Sequence, residues 1–168
     1  MEHLWAPWRM EYMNKAIEGK GEDCVLCLSP EKSTDADRMV LYRGRYNFVI
    51  MNAFPYNSGH LMVAPFEHTS RISLLSEEAR HEHIDIVSRC LDILTKAMQP
   101  AGFNVGLNLG RVGGAGIDKH LHCHVVPRWE GDTNFMPVIA DTKVINEAVE
   151  ATFRLLKPHF DSLKEKEK

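Results

Sequence analysis

Nine histidines occur among 168 residues, and three of them alternate with apolar side chains in His120-Leu121-His122-Cys123-His124-Val125-Val126-Pro127. A strand sends residues i, i+2 and i+4 to the same face. The spacing therefore predicts a strand over His120 to Pro127, with three imidazoles on one side and Leu121, Cys123 and Val125 on the other. Near neutral pH an imidazole serves as nucleophile, proton donor or metal ligand. Three readings stand: a chance cluster on a solvated strand, a three-histidine metal site, and a site that handles an anion. The segment Gly110 to Gly116 favours the third, because it carries four glycines in seven residues. Backbone N–H groups of Gly113, Gly114, Ala115 and Gly116 are the kind of donors that cradle a charged oxygen. The metal reading lacks a partner acid, since Asp118 and Glu130 flank the histidines without sharing their face.

Cys24 and Cys27 form the second pattern with chemical content, a Cys-x-x-Cys pair. A redox role requires a thioredoxin-like βαβ context, which the surrounding sequence lacks. Metal ligation and a pair of reduced thiols remain. Cys90 and Cys123 sit in apolar patterns and are expected in the core. His3, His81, His83 and His159 are expected at the surface or partly packed.

The elements that must position these groups follow from periodicity. Residues 1–37 read as an irregular N-terminal arm, packed on the main domain through Trp5 and Trp8. Residues 38–168 read as the catalytic domain. Strands are expected over Arg38 to Arg43, Tyr46 to Asn52 and His60 to Ala64, with Gly44-Arg45 turning the first into the second. Ser76 followed by Glu77 and Glu78 is a helix start. Ile84, Val87, Leu91, Leu94 and Met98 supply the core face of that helix, and Pro100 and Gly102 end it. A strand over Phe103 to Leu109 precedes the glycine-rich loop. A last helix is expected from about Thr142 to Pro158, with Ile145, Ala148, Val149, Thr152 and Leu156 on one stripe. The sum is an α+β domain built on a mainly antiparallel sheet.

Composition removes other function classes. Apolar residues make up 44% and charged residues 26%, with a net charge of −3. That composition is globular, and it offers no basic field for nucleic acid. No run approaches the ~20 apolar residues that span a bilayer. The first residues do not read as a signal peptide, so a cytoplasmic location is expected, where thiols stay reduced.

His120-Leu-His122-Cys-His124-Val-Val closely resembles the signature of the histidine-triad (HIT) family, His-φ-His-φ-His-φ-φ with φ apolar. Asn52-Ala-Phe-Pro55-Tyr-Asn-Ser-Gly59-His60 is similar to the family's Asn-x-x-Pro-x-x-x-Gly-His segment. Leu4-Trp5-Ala-Pro7-Trp8-Arg9, Gly106-Leu-Asn108-Leu-Gly110 and Pro127-Arg-Trp129-Glu-Gly131-Asp-Thr-Asn134-Phe135 resemble the bacterial branch that includes diadenosine tetraphosphate phosphorylases. The resemblance implies a five-stranded antiparallel sheet with two helices, usually dimerised. It implies nucleotidyl hydrolase or transferase chemistry at the α-phosphate of a dinucleoside polyphosphate, through a covalent nucleotidyl-histidine. His122 is then the nucleophile, His124 the donor to a phosphate oxygen or leaving group, and His120 the first member of the triad. Asn52 would meet the ribose and Ile50 and Met62 the base, with His60, Asn108, Gly114 and Gly116 also around the nucleotide. Relatives complete a structural zinc site with two cysteines and two histidines, here Cys24, Cys27, His68 and His120. Many family hydrolases carry Gln where this sequence has Gly116, which leaves room for inorganic phosphate as acceptor. Nucleoside phosphoramidate hydrolysis and a non-catalytic nucleotide-binding zinc module are the alternatives.

Overall fold

The computed structural model describes residues 24–28, 35–132 and 149–165. Trp5 and Trp8 of the expected arm, His3, Asn134 and Phe135 lie outside the described residues. So does the expected start of the last helix, with Thr142, Ile145 and Ala148.

Five strands form one antiparallel sheet: β1 (Val40–Arg43), β2 (Asn47–Met51), β3 (Leu61–Pro65), β4 (Gly102–Leu107) and β5 (Cys123–Arg128), in the order β1-β2-β3-β5-β4. Helix α1 (Glu77–Met98) and helix α2 (Val149–Glu165) complete the domain. The expected α+β fold, five antiparallel strands and two helices, is the observed one. No helix among the described residues is long and apolar enough to cross a membrane.

Register decides the two faces. Val49, Met51, Leu61, Val63, Cys123 and Val125 pack with Ile86, Val87, Cys90, Ile93 and Leu94 of α1 and with Leu156 and Phe160 of α2. Burying such side chains is worth about 1.5–3 kcal/mol each. The opposite face carries Phe48, Ile50, Met62 and Ala64, covered by Leu26 and, in part, by Cys24, Leu28, Phe66 and Ile117. The pairings Ile50 with Met62, Met62 with His124, and His124 with Gly106 run in one row across this face.

Several elements differ from expectation for identifiable reasons. β1 begins at Val40 because Met39 takes a left-handed backbone, φ 56°, and the Val40 N–H turns back to the Asp35 carbonyl at 2.7 Å. The expected strand from His120 begins only at Cys123. Val63 to Cys123 is the last rung of the β3–β5 ladder, and the Leu121 N–H instead donates to the Thr69 carbonyl at 2.6 Å. On α1 the Ser76 cap forms as expected, accepting from the Ala79 N–H. The buried stripe, however, runs through Ala79, His83, Ile86, Val87, Cys90, Ile93 and Leu94. Ile84 falls outside that stripe and is 65% exposed. α2 continues through Pro158, which is exposed, because Phe160 one turn beyond Leu156 is fully buried on the same stripe.

Candidate active site and metal cluster

His122 precedes β5, buried, with its ring held by its own local backbone. Its Nδ1 lies 2.8 Å from the carbonyl oxygen of His120. A carbonyl only accepts, so Nδ1 carries the proton and the lone pair is on Nε2. Burial holds the His122 imidazole below its ordinary pKa, opposed by that same hydrogen bond. The neutral ring is thereby the favoured form.

His124 lies on β5 with its ring centroid 4.9 Å from that of His122, edge on. His60, fully buried, places Nε2 2.9 Å from His124 Nδ1. His60, expected around the nucleotide, is placed against the His124 ring. Asn108, the residue after β4, faces His124 with its amide Nδ2 3.4 Å from Nε2. Tyr56, which sequence reasoning did not single out, sets its ring 4.7 Å from His60 and 5.6 Å from His124.

His120 turns elsewhere. Its Nε2 donates to the Pro65 carbonyl at 2.9 Å, which leaves the Nδ1 lone pair facing Cys24 Sγ at 3.4 Å and Cys27 Sγ at 3.7 Å. His68 Nδ1 stands 3.2 Å from Cys27 Sγ. The four ligand atoms lie within 4.8 Å of one another. Around a tetrahedral zinc with Zn–S of about 2.3 Å and Zn–N of about 2.0 Å, sulfur and nitrogen ligands stand roughly 3.5 Å apart. The Cys24, Cys27, His68 and His120 set fits such an ion, and the Pro65 carbonyl fixes the tautomer that His120 needs. His120 therefore joins the triad through its backbone carbonyl, while its ring belongs to the cluster. Burial also lowers its pKa, with His68 adding to the effect.

The residues expected around the nucleotide are placed as follows. Met62 lies beside His124 on the shared row and Ile50 beside Met62, both buried under the 24–28 segment. Asn52 uses Oδ1 to accept from the Phe54 N–H at 2.9 Å and turns Nδ2 toward the His60 ring. That is the geometry of a turn-initiating Asn. In the glycine-rich loop the N–H groups of Gly114 and Ala115 bond the carbonyls of Arg111 and Gly110. Those two donors close the loop on itself, which narrows the expected cradle to Gly113 and Gly116. Gly116 is exposed, and Gly113 leaves no space for a side chain, since a Cβ there would meet the Leu109 carbonyl oxygen at 2.4 Å.

The family model named HIT domain matches residues 33–131. The chain is 36% identical over 163 residues to a Mycobacterium tuberculosis protein named AP-4-A phosphorylase, covering 93% of this chain and 83% of that one. It is 30% identical over 82 residues to an adenosine 5'-monophosphoramidase of Schizosaccharomyces pombe, covering 49% of this chain and 58% of the relative. Its fold matches a Zn-bound histidine triad family protein from Mycobacterium smegmatis at a TM-score of 0.62 and 24% identity, covering 79% and 91% of the two chains. The family model and the sequence relatives together define a class, the nucleotide hydrolases and transferases. Within that class, this chain belongs to the HIT family.

Proposed function

We propose that the chain cleaves dinucleoside polyphosphates such as diadenosine tetraphosphate at the α-phosphate, through a nucleotidyl-His122 intermediate. The observation that carries this reading is the 2.8 Å bond between His122 Nδ1 and the His120 carbonyl, which leaves Nε2 as an aimed lone pair. In the first step Nε2 forms a bond to the α-phosphorus, and the bond from phosphorus to the bridging oxygen breaks. The leaving polyphosphate takes the electron pair, and the Nε2–H of His124 stabilises or protonates it. In the second step an acceptor oxygen attacks the phosphorus and frees His122. Phosphate as acceptor gives a nucleoside diphosphate, and water gives the monophosphate. The name of the mycobacterial relative and the small Gly116 favour phosphate. The S. pombe relative supports phosphoramidate hydrolysis as a second reading, in which the leaving nitrogen takes the proton.

The reading includes one zinc in the Cys24, Cys27, His68 and His120 cluster. A bound ion there would be structural, because four protein ligands leave no open position. It also includes a cytoplasmic homodimer. Strand β4 is a sheet edge, with Val105 47% exposed, and an open edge is a ready pairing surface.

Incubation with diadenosine tetraphosphate, with and without inorganic phosphate, tests the reading. ADP formed only with phosphate identifies a phosphorylase, and AMP with ATP formed without it identifies a hydrolase. His122→Ala is expected to lose several orders of magnitude in turnover, each ten-fold being about 1.4 kcal/mol, while still binding nucleotide. Near-normal turnover by that variant would remove His122 as nucleophile.

A further inference from the structure

The loop from Asn52 to His60 does more than bring His60 to the triad. The Tyr56 backbone N–H donates to His60 Nδ1 at 2.9 Å. A backbone amide is only a donor, so His60 Nδ1 is an acceptor and the proton of the neutral ring is on Nε2. That Nε2–H points at His124 Nδ1, 2.9 Å away. His124 Nδ1 is then an acceptor too, and the His124 proton belongs on Nε2; the Asn108 side-chain amide, which stands with Nδ2 3.4 Å from that atom, must turn its Oδ1 there to accept the proton. A second proton on His124 would set two N–H groups against each other across the same 2.9 Å. The Tyr56 amide thus fixes the tautomer of His124 two rings away and keeps that ring neutral. Among the described contacts, His124 meets His60, the His122 ring, Tyr56 and Asn108.

What places the Tyr56 amide is the next residue. Asn57 Nδ2 donates to the Pro127 carbonyl at 3.1 Å and to Asp132 Oδ2 at 2.8 Å. Pro127 lies on β5, three residues after His124. The Asn57 carbonyl accepts from the His60 N–H at 3.2 Å. Gly59, at φ 75°, lets the loop lie against Pro127 and Met98, where a Cβ would meet Met98 Sδ at 2.8 Å and Pro127 Cγ at 3.1 Å. Asp132 is itself held: Arg128 Nε and Nη2 reach its two oxygens at 2.6 and 2.8 Å, and the Trp129 N–H at 3.1 Å. Those donors hold its carboxyl down at about 2, so it stays an acceptor.

We propose that Asn57 and Asp132 are positioning residues for His124, acting through the Tyr56 amide and His60 to hold it as a neutral imidazole that donates from Nε2. The proposal rests on the assignment of His124 as proton donor, but its central claim is a tautomer and can be read without turnover. Long-range proton–nitrogen correlation NMR of 15N-histidine protein at pH 7 should find both His60 and His124 neutral with the proton on Nε2. Asn57→Ala and Asp132→Asn should each blur the His124 pattern into a mixture of tautomers. In kinetics, each variant should lose about ten-fold in kcat on diadenosine tetraphosphate, part of the 10²–10⁴ that a placed acid supplies, with KM nearly unchanged. The 4-nitrophenyl ester of AMP, whose leaving group needs no proton, should be turned over within about two-fold of wild type.

A wild-type His124 that is cationic or protonated on Nδ1 overturns the proposal. So does an unchanged His124 pattern in a folded variant, or an equal loss on both substrates, which is what simple loosening of the loop would produce. Should Asn57→Ala fail to fold, Asp132→Asn, which lies outside the loop, decides. A wild-type protein inert toward both nucleotides would sink the proposed function and leave the NMR result to judge the tautomer.

Discussion

His83 is a buried histidine with no place in the chemistry described above. Its Nδ1 lies 2.9 Å from Asn47 Oδ1, and Asn47 spends its own N–H groups on the Ala79 carbonyl and Glu82. Nδ1 is therefore the donor, and Nε2 is buried with no hydrogen-bond partner among the described residues. Protonating Nε2 would put a charge into the core, so desolvation lowers the His83 pKa, against a smaller opposing pull from Glu82. The sign follows from linkage. Above pH 6.5 both folded and unfolded forms are neutral and nothing is lost. As pH falls from 6.5 toward the depressed folded value, the unfolded chain binds the proton first and stability declines, by at most about 1.4 kcal/mol per pH unit for one group. Denaturation midpoints of wild type and His83→Gln, compared between pH 7.5 and pH 5, check this. The variant is expected to lose less stability on acidification, and parallel curves would refute the role of His83.

At the scale of elements, one carboxylate ties the first hairpin to α1. Glu82 accepts from the backbone N–H groups of Arg45, Tyr46 and Asn47 at 2.6, 2.8 and 2.8 Å, and from Asn47 Nδ2 at 2.9 Å. The turn between β1 and β2 offers converging donors, and a side chain from the helix fills them. This contact also fixes β2, whose Ile50 borders the row that carries His124. Hydrogen bonds to a charged acceptor are worth about 1.5–3 kcal/mol each before exposure discounts them. Glu82→Ala is expected to lower unfolding free energy by about 2 kcal/mol, read by urea denaturation, and to leave bound metal unchanged. A variant as stable as wild type would mean that water replaces the carboxylate at little cost.

Across the whole molecule, the proposed nucleophile His122 and the Cys2His2 cluster share a backbone. Residues 120–122 lie outside the β5 ladder, and among the described contacts they are held by the His120 ring, the Leu121 N–H and the His122 bond to the His120 carbonyl. A metal that anchors His120 would thus steady the carbonyl that orients His122. Elemental analysis of purified protein is expected to find about one zinc per chain. Cys24→Ser combined with Cys27→Ser should remove it and lower the melting temperature. Protein without zinc, or zinc retained by the double variant, would refute the cluster as a zinc site.

The sequence alone determined the class of fold and the enzyme class. Alternation, turn residues and a capped amphipathic helix are local signals, so five antiparallel strands, the Ser76 cap and the core positions of Cys90 and Cys123 were legible without coordinates. The histidine spacing likewise marked His122 and His124, and the family resemblance joined Cys24 and Cys27 to His68 and His120. Other features rest on contacts between residues far apart in the chain, and no local pattern encodes them. The three imidazoles do not share one strand face: His120 leaves the ladder because a carbonyl and two thiols from other segments compete for its ring. His83 is expected at the surface or partly packed because periodicity draws the helix stripe through Ile84, whereas a buried Asn47 on β2 gives the imidazole a partner inside. Asn57 and Asp132 lie inside segments that carry the family resemblance, but no local pattern gives either a role. Their place beside the triad exists only once the loop before β3 docks on β5, where a backbone amide can settle which nitrogen of a distant histidine holds its proton.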